Sequence, residues 1–584
     1  MKQSLILSSI FLVGMELFSS CTDKFESMNT NPGAVTEASL KYILPYVQEV
    51  GAHLDCTPYQ RADNLYAQMY CQYFANADAG FASDRYGYND SWSNEGFWQP
   101  YYKTLKHMKV AKQTAENNPE ETNICQMIRI TQAYNTAGMT DTFGDIPYSE
   151  AGLGETKNKY DSQESIYQDI FKELTEAVNI LKENREGQTT CTSDNDLVFG
   201  GDIQKWIRFG NSLRLRYALR ISYIDPARAK SEGEAALASG VMTSNDDNAY
   251  MTASATGDWG WGHPLYMMSL WNGFCMSKTM ENILKNESTV TDPRMPLWFG
   301  QTQDYVAALR NGDNTYTGEQ FAGMSNGMNA TEIGLPENGV RRHSVCLGLQ
   351  AYPDWNSQTT PSEDVLNITV TLPLKIMTYG EVCLLKAEAA LLGWNGAGDA
   401  GENYKEGIKA SLADERSFLS DASLSPSTND ETYMTTGKVA WNDNDTKEQK
   451  LEKIGTQKWL ALYPNGIEAW AECRRTGYPK LSPVLHSEDA NINPANHEFI
   501  RKLRYTDDER RENSENATSS SLNQNQGDGS TVHVWWDTNR QQEVQQTLSK
   551  ILCKWKQDSV VSLFLYLNSV FKHKHKLIHN QAPV

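Results

Sequence analysis

Apolar residues recur every three or four positions along nearly the whole chain, a period that fits an α-helix and little else. It is clearest in residues 161–183, DSQESIYQDIFKELTEAVNILKE, where Ile166, Ile170, Leu174, Ala177, Val178 and Leu181 fall on one face. Asp161 followed by Glu164 has the form of a capping box and predicts the start of that helix. A second helix is predicted over 203–223, with Trp206, Phe209, Leu213, Tyr217 and Leu219 among its apolar residues. Others are predicted over 66–75, 98–117, 121–139, 227–238, 378–392, 403–412 and 447–462. The joints are rich in Gly, Asn, Asp and Pro, as in 246–248, 257–264 and 311–336. Strand-like runs such as 367–372 are few. Paired amphipathic helices with turn-rich joints predict a mainly α helical-repeat scaffold without a strict sequence period, interrupted by long irregular loop insertions. Loops of that length in a compact protein are usually functional or disordered.

The N-terminus is of another kind. Met1 and Lys2 give a short positive start, and residues 5–14, LILSSIFLVG, an apolar run too short to span a bilayer. Ser19 and Ser20 supply a small-residue cleavage site directly before Cys21. This is a secretory signal over 1–20, with Cys21 placed for lipidation, although Phe18 stands where Leu is usual and Leu17 lies one place early. Two or three acyl chains on one cysteine give stable anchoring, at about 0.8 kcal/mol per buried methylene. The residues that follow, TDKFE, are polar and suit a tether.

The formal net charge of −20 over 584 residues argues against nucleic acid, which needs clustered Lys and Arg, and against lying on an anionic bilayer. The ten cysteines, at 21, 56, 71, 125, 191, 275, 346, 383, 473 and 553, show no CxxC and no metal-ligand spacing. No disulfide framework is expected from them. Residues 541–584 differ from the rest: KHKHK at 572–576 follows an apolar stretch, and the segment reads as a poorly integrated extension to a main unit of 21–540.

Several blocks resemble, in order, the SusD/RagB family of outer-membrane lipoproteins. They are CTDKFESMNTNP from Cys21, TDTFGDIPYSEA at 140–151 and KYDSQESIYQDIFKEL at 159–174. GGDIQKWIRFGNSLRLRYALRI follows at 200–221, then PLKIMTYGEVCLLKAEAALLGW at 373–394 and IGTQKWLALYPNGIEAWAECRRTGYP at 454–479. RKLRYTDDERREN at 501–513 and VHVWWD at 532–537 complete the set. The resemblance implies a scaffold of tetratricopeptide-like helix pairs and a lipid-anchored protein at the cell surface of the outer membrane. It implies capture of a nutrient, usually a glycan, and a TonB-dependent SusC-like transporter over which the lipoprotein sits as a lid. It implies no catalysis and no cofactor.

The residues themselves supply a candidate site. GDIPY at 144–148 reads as a tight turn leaving a helix, with Asp141 and Asp145 expected to accept from nearby backbone amides. Arg208, Arg214, Arg216 and Arg220 share one helix but not one face, and pairing with acids such as Glu381 or Glu388 is the expected arrangement. No HExxH, P-loop, GxSxG or clustered Cys/His set is present, and no pair of carboxylates is singled out for catalysis. The acids between 194 and 202, and Asp443 with Asp445, lack the Gly and terminal Glu of an EF-hand loop. The positive signal is aromatic residues in polar loops, FASDRYGYNDSWSNEGFWQPYY at 81–102 and GDWGWGHPLYMMSLW at 257–271. An aromatic face stacks on the C–H face of a sugar while nearby polar groups bond its hydroxyls. Tyr86, Tyr88, Trp92, Trp259 and Trp261 are the expected stacking residues, with Asn89, Asp90 and Asp258 as polar partners. The competing reading is that these residues pin the loops down or touch the transporter. Trp98 and Trp271 fall on helical patterns and are expected in the core. The alternatives to glycan capture are peptide capture by a member of the same family and a secreted glycoside hydrolase.

Overall fold

The computed structural model describes residues 39–152, 157–252, 263–271, 273–285, 290–346, 372–418 and 428–540. Ten long helices carry the described fold: α1 Leu40–Gly51, α2 Gln99–Asn117, α3 Thr122–Phe143, α4 Gln163–Lys182 and α5 Ile203–Arg220. They continue with α6 Pro226–Ser239, α7 Tyr379–Leu391, α8 Ala400–Ser417, α9 Lys447–Ala461 and α10 Gly466–Thr476. Consecutive helices pack side by side from α2 through α6, α1 lies on α2 and α3, and α7 packs on both α8 and α9. This is the mainly α arrangement the periodicity predicts and the tetratricopeptide-like one the family resemblance implies.

Helix starts follow local chemistry. Asp202, Asp225, Thr378, Asp399, Thr446 and Asn465 each accept a first-turn amide proton at the N-cap. The cap of α4 is Ser162, whose Oγ accepts from Ser165 N at 3.2 Å, not the expected Asp161. Asp161 is already committed: its backbone pairs with Ile146 in a short ladder, and its carboxylate accepts from Tyr148 N and Ser149 N at 3.1 and 2.8 Å. Close helix approach depends on glycine. A Cβ on Gly407 of α8 would stand 2.7 Å from Leu384 Cγ of α7.

Strands are confined to three two-stranded antiparallel ladders: β1 Phe74–Asn76 with β5 Phe274–Met276, β2 Ile146–Pro147 with β3 Tyr160–Asp161, and β4 Ala249–Thr252 with β6 Pro373–Met377. Of the strand-like run 367–372, only Leu372 lies within the described residues. Cys21 and the segments 1–20 and 541–584 lie outside them. The eight described cysteines are free thiols, all but Cys191 buried. None of the described helices is long and apolar enough to cross a membrane.

The core is threaded by ion pairs. Arg216 grips Glu381 through two bonds of 2.7 and 2.6 Å, and Arg475 and Lys458 share Glu388 and Glu472. The other arginines of α5 go elsewhere: Arg208 to Asp247, Arg214 to Glu232 and Arg220 to Glu468. Among the described residues, no carboxylate lies within salt-bridge distance of Arg474. Its guanidinium lies between the rings of Trp470 and Trp536, 3.9 and 4.9 Å away, and donates to the Arg501 carbonyl at 2.6 Å. Burial, aided by the nearby Arg220 and Arg501, outweighs the attraction of Asp141 and Asp537 and lowers its pKa to about 10. Trp536 is also held by its indole N–H, which donates to Asp141 at 2.6 Å, so the segment after α10 folds back on α3.

The turn at 144–148 is structural. Gly144 has φ of 78°, and the Asp145 carboxylate accepts from the amides of Gln163 and Asn523 at 2.8 and 2.7 Å. Asp141 differs from expectation. It accepts from the Tyr167 hydroxyl and the Trp536 indole rather than from backbone amides, because it lies within α3, where the neighbouring amides already bond along the helix.

Candidate functional site

The aromatic loop at 81–93 sits against two wide, π-type helical turns, Gln60–Ala67 and Asn94–Trp98. Such turns are costly and cluster at functional sites. Gly96 lets the two touch, since a Cβ there would lie 2.8 Å from Ala62 N.

Hydrogen bonds fix the loop at each step. The Asp84 carboxylate accepts from Asn76 N and Gly327 N, both at 3.1 Å, and burial pushes its pKa up to about 6 against those bonds. Arg85 donates to the Met328 carbonyl and to Glu488, both at 2.8 Å. Tyr86 then takes a left-handed conformation, φ 62°, which reverses the chain. Asn89 exchanges backbone hydrogen bonds with the Tyr66 hydroxyl and caps the turn Asp90–Ser93 through Trp92 N. Asp90 accepts from the Tyr88 hydroxyl at 3.0 Å and from Asp507 N at 2.7 Å.

Two hollows flank this loop. The first, about 90 Å³, is lined by Gln60, Asn64, Asp78, Phe81, Trp271 and Phe274. Trp92 backs it, edge-on to Phe81 at 5.8 Å and to Tyr66 at 6.2 Å. The second, about 370 Å³, lies on the side of Tyr86 and Tyr88 and is walled by 488–491, 502–504, Arg510 and 528–530.

The structure therefore divides the residues that the sequence groups together. Trp92 belongs with the first hollow. Tyr86, 4% exposed, and Tyr88, half-buried, belong with the second. Asn89 and Asp90 are bound into the loop itself. Asp258, Trp259 and Trp261 lie outside the described residues; chain continuity puts them between β4 and the short helix Pro264–Leu270, which runs directly into Trp271. Trp98 is core, packed on Phe143 at 5.2 Å. Trp271 is not core: it is half-buried and lines the first hollow. Its place at the end of the aromatic run 257–271 was the available signal. Gln60, Asn64 and Asp78 carried none, because amides and carboxylates are common on any surface.

Rings, two amides and one carboxylate around an open hollow suit a neutral polyhydroxylated ligand. Of the acids considered for metal, Asp443 accepts from Trp441 Nε1 at 2.9 Å and Asp445 pairs with Lys453 at 2.6 Å. No group of three His, Cys, Asp or Glu among the described residues is placed to hold a metal ion.

Helix pairs presenting a loop-built, aromatic-edged face define a helical binding scaffold. The chain matches the SusD-like model, described as Susd and RagB outer membrane lipoprotein, over residues 22–537. The protein belongs to the SusD-like family. It is similar to a chitin-binding SusD homolog from Flavobacterium johnsoniae, with 28% identity and a TM-score of 0.68 over 86% of this chain and 99% of that one. A chitin-binding protein at 27% identity and TM-score 0.69 covers 86% of this chain and 100% of its own. A SusD homolog from Bacteroides uniformis at 27% identity and TM-score 0.67 covers 86% and 99%. No protein of curated function matches.

Proposed function

We propose that the protein is a cell-surface lipoprotein, anchored through Cys21 in the outer membrane, that captures a glycan and delivers it to a TonB-dependent SusC-like transporter. The observation that carries this reading is the first hollow, where Phe81, with Trp92 packed against it, and Trp271 meet Gln60, Asn64 and Asp78. A sugar ring laid on an aromatic face loses apolar contact with water while amide and carboxylate groups replace the water on its hydroxyls. Trp259 and Trp261, joined to this rim by sequence, are proposed to complete the stacking surface, with Asp258 beside them. The chitin-binding relatives make N-acetylglucosamine oligomers the first probe. The protein holds its ligand without cleaving it.

Affinity electrophoresis in gels containing glycans of known composition tests this. Retardation by at least one glycan is expected, with Trp92→Ala and Trp259→Ala each weakening it about tenfold, the scale of one stacked ring. Unchanged retardation in both variants would remove the site. Retardation by none, with binding of peptides, would move the ligand class to peptide. New reducing ends from the purified protein would make it a hydrolase.

A further inference from the structure

We propose that the second hollow is a separate subsite for one acidic sugar unit, a hexuronate or a singly sulfated hexose, carried on an otherwise neutral glycan. It goes beyond the aromatic hollow and does not depend on it. Its volume, about 370 Å³, falls near the lower end of the roughly 300–1,000 Å³ typical of small-ligand sites.

Neither tyrosine offers an open ring. Tyr86 is buried, and the Arg504 guanidinium lies 4.2 Å over Tyr88. Recognition here rests on charge and hydrogen bonds. Lys502 and Arg510 both bind Asp528, at 2.6 and 2.7 Å, while Arg504 has only a long 3.4 Å contact to Asp507. Three cations and three carboxylates line the hollow; Asp528 is held by Lys502 and Arg510 and Glu488 by Arg85, so Arg504 is the lining cation with no close carboxylate among the described residues. The Arg504 side chain is 43% exposed, and stacking on Tyr88 holds its planar fork in a fixed orientation. Such a fork binds a carboxylate or sulfate through paired N–H bonds.

The same lining also carries acceptors. Glu488 is half-exposed and steadied by Arg85, and Asp489 is steadied by Ser530 and by Asn491 N at 2.9 Å. Carboxylates held this way accept sugar hydroxyl protons. They also repel a second negative charge, as does the net charge of −20, so the subsite suits a single acidic unit and not a polyanion.

Ligand-observed NMR titration of the mature full chain tests this with methyl β-D-glucuronide, methyl β-D-glucoside 6-sulfate and neutral methyl β-D-glucoside. At least one charged glycoside is expected to bind ten times tighter than the neutral one, and which of them does so assigns the charge to carboxylate, sulfate or both. Arg504→Gln should abolish the difference, Arg504→Lys should retain part of it, and Trp92→Ala should leave it intact. Equal binding of charged and neutral glycosides, or a preference that survives Arg504→Gln, overturns the proposal. Loss of neutral-glycan retardation in Trp92→Ala reads the other hollow, so the two failures are distinguishable.

Discussion

Arg216 and Glu381 are both buried to within 1% of full coverage, and each is the other's counter-charge. Burying an ion is expensive, so removing one partner costs more than the pair is worth. Glu381→Gln is expected to destabilise the protein by about 3 kcal/mol, read as a fall in Tm. The double variant Arg216→Met, Glu381→Leu should recover most of that loss, and a double variant no better than the single would refute the account. Asp84 carries a pH dependence. Its pKa of about 6 exceeds the unfolded value of about 3.9, so the folded state binds its proton more tightly. Its contribution is most favourable below pH 4 and is lost as pH rises to about 6. Relative to Asp84→Asn, the wild type should lose stability across that window, by at most about 3 kcal/mol. Parallel pH profiles of Tm for the two proteins would disprove it.

At the scale of the element, the long helices were legible because their apolar stripes are long and regular. For α9 the predicted span 447–462 differs from Lys447–Ala461 by one residue. The misses have physical causes. α1 is hidden in the sequence by Pro45, a residue that argues against a helix interior, although Leu40, Leu44 and Val47 make a regular buried stripe. The period predicts one α-helix over 66–75; the helical part ends at Tyr70, after the last two residues of the π-type turn and the short α-helix Gln68–Tyr70, and the chain then turns into β1 at Phe74. The site was legible as two aromatic runs, but which rings share a hollow depends on loop geometry that no period encodes. Packing between elements also gives a test. Gly407→Ala puts a methyl 2.7 Å from Leu384 and 3.1 Å from the Gly380 carbonyl, and should cost about 1–3 kcal/mol by forcing α7 and α8 apart. A Tm equal to wild type would show that the two helices yield without cost.

For the whole molecule, the segment after α10 acts as a clasp: Arg501 pairs with Asp537, Lys502 with Asp528, and Trp536 reaches Asp141. Trp536→Ala should cost about 3–5 kcal/mol through a lost large side chain and an unpaired Asp141. By contrast, deletion of 541–584, which lies beyond the family match, is expected to leave Tm and glycan retardation unchanged. A large fall in either would make that tail part of the working protein. Cys21→Ala should release the protein from membranes when the transporter is absent; continued membrane binding would overturn the lipid anchor.

The cation-and-indole stack at Trp470, Arg474 and Trp536 also has an optical consequence. Trp536 is fully shielded from water and lies against two guanidinium groups, those of Arg474 and Arg220. An indole in that setting emits at shorter wavelength than one in solvent, so a red shift in its fluorescence would mark the moment the C-terminal clasp lets go.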